Sequence, residues 1–242
     1  MIDGISQRLL DQTHPLRIHL LGVAGSGMSG IAALLLEMGH DVSGSDRVTS
    51  GEIERLQGLG LKFSSPHSGA AVSGVDAVVY SSAIKPDNVA LVEARRIEVP
   101  CLRRAECLAA ILHTRKGVLV AGTHGKTTTS AMCAHVLNNA GAAVSHYVGA
   151  EIPILGANAH WDGASEYLVA EGDESDGTLD LYRPAYAVVL NIEEEHLDYY
   201  KGLQQIVGVF RTLLEQTSGK AIYCREDSTA VSYTHLTLPT KA

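Results

Sequence analysis

RIHLLGVAGSGMSGIAALLLEMGHDVSGSD (Arg17–Asp46) decides the fold. Its opening, RIHLLG (Arg17–Gly22), is a short β-branched and leucine run closed by glycine and reads as a buried strand. A glycine-rich loop follows. Ile31, Leu34, Leu35 and Met38 then recur at i, i+3, i+4 and i+7, one face of a helix, and Gly39 stands where a helix stops. DVSGSD (Asp41–Asp46) is a second strand ending in an acid. Within the loop, Gly25-Ser26-Gly27-Met28-Ser29-Gly30 matches G-x-G-x-x-G, with Gly22 just before it. Glycines permit positive φ and a close backbone approach, and a helix N-terminus offers free N–H groups to a diphosphate. Asp46 lies near the place where an acid meets a ribose hydroxyl in a dinucleotide fold. The pattern predicts a nucleotide diphosphate site, and NAD and UDP both satisfy it.

Outward from this stretch the alternation continues. DAVVYSS (Asp76–Ser82) reads as a third strand, with helical patterns near Glu52–Leu59 and Val89–Ile97. Strand and helix in turn predict a parallel sheet with right-handed crossovers. After a helix at Arg103–Leu112 and the polar break HTRKG, a second α/β pattern starts. Its strands are GVLVAG (Gly117–Gly122), EYLVAEG (Glu166–Gly172), YAVVLN (Tyr186–Asn191) and KAIYC (Lys220–Cys224). One helix after the first strand carries Met132, Val136 and Ala140 on one face, and another spans Leu203–Gln216. The expected fold is α/β: a Rossmann-like parallel-sheet domain over 1–112, then a truncated P-loop α/β domain over 113–230. The first ten residues of the final VSYTHLTLPTKA correspond to one reading frame of a transposon-type sequencing adapter. They are preferred here as a non-native tail (231–242) over a terminal strand, so the natural chain is expected to continue past Ala230.

The 242 residues carry 19 Lys plus Arg against 27 Asp plus Glu, a net charge of −8, with mean hydropathy +0.08. That composition excludes a disordered or membrane-embedded chain, and the acidic balance argues against nucleic-acid or anionic-membrane partners. Cys101, Cys107, Cys133 and Cys224 lack the spacing of a zinc knuckle or a C-x-x-C pair. Free thiols are expected, with Cys133 buried, in a cytoplasmic protein.

VAGTHGKTTTSAM (Val120–Met132) carries the sharper chemistry. Gly125-Lys126-Thr127 sits between a buried strand and a helix. Loop amides can hold a β-phosphate, Lys126 can neutralise β- and γ-oxygens, and the Thr127 hydroxyl can ligate Mg²⁺. Val120 stands where the usual P-loop has its first glycine, so Gly122 gives a shorter loop. EGDESDG (Glu171–Gly177) follows a buried strand, where an acid points into a ligand crevice, and Glu171 is best placed to meet a metal–ATP complex. In NIEEEHLDYY (Asn191–Tyr200), His196 and Asp198 are further candidates. On spacing alone, though, a lone histidine reads more readily as a surface or capping residue, because Mg²⁺ prefers oxygen.

In order, IHLLGVAGSGMSGIA, SGSD, YSSAIK, RRAE, AGTHGKTTT, EGDESDGT and NIEEEHLDYY resemble the Mur ligase family from Arg17 to Ala230. The resemblance implies a three-domain enzyme whose first domain binds the UDP of a sugar nucleotide. Gly25, Ser26, Gly27, Met28, Asp46, His67, Ser81 and Ser82 would then be UDP-sugar contacts. It implies ATP on Gly122, Thr123, His124, Gly125, Lys126, Thr127 and Thr128, and Mg²⁺ on Thr127, Glu171 and His196, with Lys126, Glu171 and His196 catalytic. Where the family commonly has D-H-x-D this chain has Glu195-His196-Leu197-Asp198, and Glu195 stays unassigned. The implied reaction is ATP-dependent joining of L-alanine to the lactyl carboxylate of UDP-N-acetylmuramate through an acyl phosphate, in peptidoglycan precursor synthesis. The amino-acid-bearing third domain would lie outside this chain, so no turnover is expected from the chain alone. Rival readings are an NAD-dependent oxidoreductase, a non-catalytic nucleotide-binding module, and a recycling ligase that attaches a preformed peptide to the same UDP-sugar.

Overall fold

The computed structural model describes residues 2–11, 13–225, 227 and 229–231. Of the expected tail, 232–242 lie outside the described residues. The chain is α/β and forms two units. The first comprises the residues up to Thr114 together with Gly149–Ala164, and the second Arg115–Val148 together with the described residues from Ser165 on.

In the first unit the elements are α1 (Ile2–Leu9), β1 (Arg17–Leu21), α2 (Ser26–Glu37), β2 (Asp41–Ser45), α3 (Gly51–Gly58), β3 (Lys62–Ser64), β4 (Ala77–Tyr80), α4 (Val89–Arg96), β5 (Cys101–Arg103) and α5 (Arg104–Leu112). The strands are parallel in the order β3-β2-β1-β4-β5. Order reverses beside β1, and in such sheets the crevice outside the carboxyl ends at that point receives ligands. Leu20 and Leu21 of β1 are fully buried, and so is every residue of α2 from Met28 to Leu35. Buried all round from Met28 to Leu35, α2 is a core helix, so the face read at Ile31, Leu34, Leu35 and Met38 is only part of what it buries. The short strands β3 and β5 have no strand-like sequence pattern; their neighbours in the sheet supply it.

The second unit contains β6 (Lys116–Ala121), α6 (Lys126–Asn139), β7 (Val144–Tyr147), β9 (Tyr167–Glu171), β10 (Tyr186–Val189), α7 (Leu203–Gln216) and β11 (Lys220–Tyr223). Its parallel strands run β11-β10-β6-β9-β7. α7 buries Ile206, Val207, Phe210, Leu213 and Leu214 on one stripe. In α6 the expected apolar face is reversed. Met132 and Val136 are 60% and 61% exposed, whereas Ser130, Ala131 and Ala134 are buried. Small residues allow the helix close to its neighbours. Cys133 is half-buried, and burial raises its thiol pKa. All four cysteines are free.

A single boundary near His113 does not describe this division, because Gly149–Ala164, with the two-residue strand β8 (Ala159–His160), returns to the first unit. Four contacts explain the return. The Asn158 amide donates to the Ser26 carbonyl and the Ser29 hydroxyl at 2.9 and 3.1 Å. The Trp161 N–H donates to Glu37 at 2.5 Å, and His160 Nδ1 lies 3.2 Å from the same carboxylate. Burial pushes the Glu37 pKa up, but bonds from His160 and Trp161 outweigh it and hold the pKa below normal. The Glu37 bond raises that of His160. The pair therefore contributes most between the ordinary Glu and His values, about pH 4.5–6.5. Its contribution falls as pH drops through the lowered Glu37 value or climbs through the raised His160 value. His160 is half exposed, so His160→Gln is expected to cost less than about 1 kcal/mol. In melts followed by the single tryptophan, Trp161, that cost should be present near pH ~5.5 and absent by pH ~9. An equal cost at both pH values would refute the ion pair.

Candidate functional site

In the first unit, the loops after β1, β2, β3 and β4 enclose a cavity of about 710 Å³ at the carboxyl edge of the sheet. Gly25, Asp46, His67 and Ser81 all line it. Ser26 lines a second cavity of about 270 Å³, with Ser50, Glu52, Arg55 and Asn158. The left-handed backbone lies at Gly22 (φ 83°). Gly25 is the N-cap of α2 at φ −71°, and Gly27 and Gly30 are inside the helix. The Met28 side chain is in the core at 1% exposure, so a contact from this residue to a ligand would be made by its backbone. Gly27 and Ser82 are outside the cavity lining. Asp46 braces the glycine loop, accepting from the Ala24 N–H at 2.9 Å and the Arg47 N–H at 2.7 Å.

In the second unit, the phosphate-type loop joins β6 to α6. Gly122 has φ 142° and Gly125, the N-cap of α6, has φ 84°. A Cβ at Gly122 would sit 3.0 Å from Leu190 and 3.1 Å from the Asn191 backbone, so the loop closes only over glycine. Lys126 turns back over its loop, donating to the Gly122 carbonyl at 2.6 Å and the Thr123 carbonyl at 3.3 Å. Its Nζ is also 2.9 and 2.8 Å from the two carboxylate oxygens of Glu174. The Thr127 hydroxyl donates to Glu171 at 3.0 Å. Thr128 and His124 are exposed, and His124 Nε2 lies 3.5 Å from Glu195. His196, at φ 55°, reaches Glu174 at 3.5 Å. The structure thus brings Thr127 and Glu171 into direct contact, and sets His196 against Glu174, the partner of Lys126.

Residues 17–116 match the Mur ligase family catalytic domain, and 120–237 match the Mur ligase middle domain. This chain belongs to the Mur ligase family. A UDP-N-acetylmuramate--L-alanine ligase from Desulforamulus reducens is 44% identical over 87% of this Mur ligase chain and 46% of its own length. The chain therefore spans about half the length of the curated relatives it matches. The crystal structure of a UDP-N-acetylmuramate-alanine ligase from Thermotoga maritima superposes with TM-score 0.82 at 28% identity, over 90% of this chain and 51% of that one. One of a UDP-N-acetylmuramate:L-alanyl-gamma-D-glutamyl-meso-diaminopimelate ligase from Neisseria meningitides gives 0.83 at 27%, over 92% and 75%.

Two residues of this Mur ligase chain escaped the sequence reading. Glu174 is buried at 3% side-chain exposure, and that burial raises its pKa despite Lys126. The Tyr200 hydroxyl donates to its backbone carbonyl. Asn191, just beyond β10, braces the phosphate loop. Its carbonyl accepts from the Thr123 N–H at 3.1 Å, and its side chain exchanges bonds with the His124 backbone at 2.8 and 3.1 Å. The signal for Asn191 was its place at a strand end beside an apolar run. For Glu174 there was none, since four acids crowd one turn. Among the described residues no three His, Cys, Asp or Glu gather to hold a metal, and none of the helices is long and apolar enough to cross a membrane. The Thr127–Glu171 pair supplies hard oxygen donors, which suit a cation that takes its remaining ligands from phosphate and water.

Proposed function

We propose that this Mur ligase chain binds UDP-N-acetylmuramate in its first unit and ATP in its second, for joining L-alanine to the lactyl carboxylate in peptidoglycan precursor synthesis. The observation that carries the reading is the shortened phosphate loop, with Lys126 folded over Gly122 and Thr127 set against Glu171. The relatives at 44% identity that bear the L-alanine ligase name support the choice of amino acid. The reaction takes place in the cytoplasm.

The lactyl carboxylate attacks the γ-phosphorus, and the bond to the bridging oxygen breaks as ADP leaves. The amine of L-alanine then attacks the acyl carbon, inorganic phosphate departs, and the amine proton passes to solvent. Lys126, released from Glu174, stabilises charge on the β- and γ-oxygens. Loop amides at the start of α6 hold the β-phosphate. Thr127, Glu171 and His196 would hold Mg²⁺, which supplies charge neutralisation at the triphosphate. In the first unit the start of α2 faces the diphosphate, while Asp46, His67 and Ser81 take the uridine end.

Calorimetric titration separates this from the oxidoreductase reading: saturable heats are expected for UDP and ATP and none for NADH. Saturation by NADH alone would overturn it. The fold similarity to the Neisseria ligase keeps the recycling reading in play, since its TM-score matches that of the L-alanine enzyme. In an enzyme of full family length, phosphate release should require L-alanine and not L-alanyl-γ-D-glutamyl-meso-diaminopimelate. The opposite preference would reassign the chain.

A further inference from the structure

A chain of buried polar groups runs from the interior of the first sheet to the 710 Å³ cavity. His19, in the middle of β1, is 1% exposed, and Ser45 at the end of β2 is fully buried. Buried polar groups are costly unless satisfied, and here each is. His19 Nδ1 is 2.8 Å from the Ser43 hydroxyl, and its Nε2 is 3.0 Å from the Ser45 hydroxyl. The Ser45 hydroxyl is in turn 2.8 Å from His67 Nδ1, and His67 lines the cavity. Among the described residues no hydrogen bond is made to His67 Nε2, the nitrogen left for a ligand.

The protons in this chain have a direction. Ser43 Oγ lies 3.5 Å from the Ile18 carbonyl, an acceptor only, and can give it a long hydrogen bond only when His19 Nδ1, at 2.8 Å, is the donor, so this direction satisfies one more group than the reverse. Ser43 Oγ then accepts from His19 Nδ1–H. Burial, with His67 nearby, pulls the His19 pKa down to about 4, so the ring is neutral and its Nε2 must accept. Ser45 donates to that Nε2 and accepts from His67 Nδ1–H. Burial lowers the pKa of His67 as well, with Asp46 opposing and Arg47 reinforcing, which favours the neutral ring; with the proton on Nδ1, bonded to Ser45, Nε2 is the nitrogen with the lone pair. Which nitrogen of a histidine is protonated follows from the bond the other makes.

We infer that His19, Ser43 and Ser45 are positioning residues: they hold His67 in the Nδ1–H tautomer, so that Nε2 accepts a hydrogen bond from an N–H or O–H of the bound uridine nucleotide. The inference rests on the nucleotide reading of the cavity, and it assigns His67 a specificity role. A ligand group that only accepts at that point would meet a lone pair and be rejected, because an unpaired polar group in a site costs affinity.

The test has two arms. Long-range ¹H–¹⁵N spectra of the unaltered chain are expected to show His67 with a protonated Nδ1 and an unprotonated Nε2, with or without UDP. A protonated Nε2 would overturn the inference. In the second arm Ser45→Ala should mix the two tautomers and weaken UDP binding by about tenfold, one hydrogen bond's worth. Its ATP affinity should be unchanged. A Ser45→Ala protein with unaltered UDP affinity would also overturn the inference. If Ser45→Ala does not fold, Ser43→Ala, at a half-buried position, is read by the same two measurements. If the unaltered chain itself fails to bind UDP, the nucleotide reading falls, while the spectra still judge the relay.

Discussion

Lys126→Ala is expected to lower ATP affinity sharply and, in an enzyme of full family length, to cut turnover by at least about a hundredfold, the usual loss when a preorganised charge is removed from a phosphoryl site. The lysine is 16% exposed and held at three points: two carbonyls of its own loop and Glu174. That geometry poises Nζ over the loop that would cradle the β- and γ-phosphates. It also gives the lysine a structural partner, so the substitution has a second consequence. Glu174 would be left buried without its counter-charge, and breaking a buried pair from one side commonly costs about 3–5 kcal/mol. Protonation of Glu174, whose pKa burial already raises, reduces that penalty. The double substitution Lys126→Ala/Glu174→Gln separates the two effects. It should recover thermal stability and leave ATP binding lost. ATP titration beside a thermal melt measures both, and a Lys126→Ala protein with full ATP affinity would remove the phosphate loop from the proposal.

Gly122→Ala is expected to destabilise the second unit by about 2–4 kcal/mol, the combined cost of a glycine-only backbone conformation and of overpacking. At φ 142° an alanine is strained whatever the space, and its Cβ would meet the Leu190 side chain and the Asn191 main chain at 3.0–3.1 Å. Main-chain atoms cannot swing aside. The same Asn191 holds the Thr123 and His124 amides, so displacement would also open the loop and weaken ATP binding. Gly208→Ala is the control. It lies within α7 with nothing within 4 Å of its added Cβ, and should stabilise by about 0.5–1 kcal/mol. Urea denaturation of both variants gives the comparison. Equal midpoints for Gly122→Ala and the unaltered chain would show that the loop tolerates a side chain.

Much of this architecture is legible without coordinates. The apolar runs at Arg17–Gly22, Gly117–Gly122 and Glu166–Gly172 are all strands, each followed by a loop that carries polar chemistry. Gly122, Gly125, Lys126 and Thr127 can be read because a phosphate loop is a local device: strand, turn and helix within a dozen residues. The G-x-G-x-x-G run was informative for a different reason than its glycines suggested. The left-handed backbone falls at Gly22, just before the run, while Gly25 caps α2 and Gly27 and Gly30 are helical. The exposure of Met132 and Val136 was not readable, because an apolar face in sequence does not say which way a helix is turned.

What the amino-acid order determined by itself is the alternation of strand and helix, the two glycine loops and their chemistry, since each depends on neighbours a few residues apart. The partners came only from the tertiary structure. EGDESDG marks Glu171 by its place at the strand end but does not tell Glu174 from its acidic neighbours; the fold does, setting Glu171 at the end of β9 beside Thr127 and burying Glu174 against Lys126. His19 reads as one polar residue in an apolar strand until β2 lies alongside and brings Ser43 and Ser45 to its two nitrogens. Gly149–Ala164 rejoins the first unit through Asn158 and Trp161, whose partners are more than a hundred residues back in the chain. Such pairings are decided by which strands lie side by side and what burial leaves unpaired, and neither has a local signature.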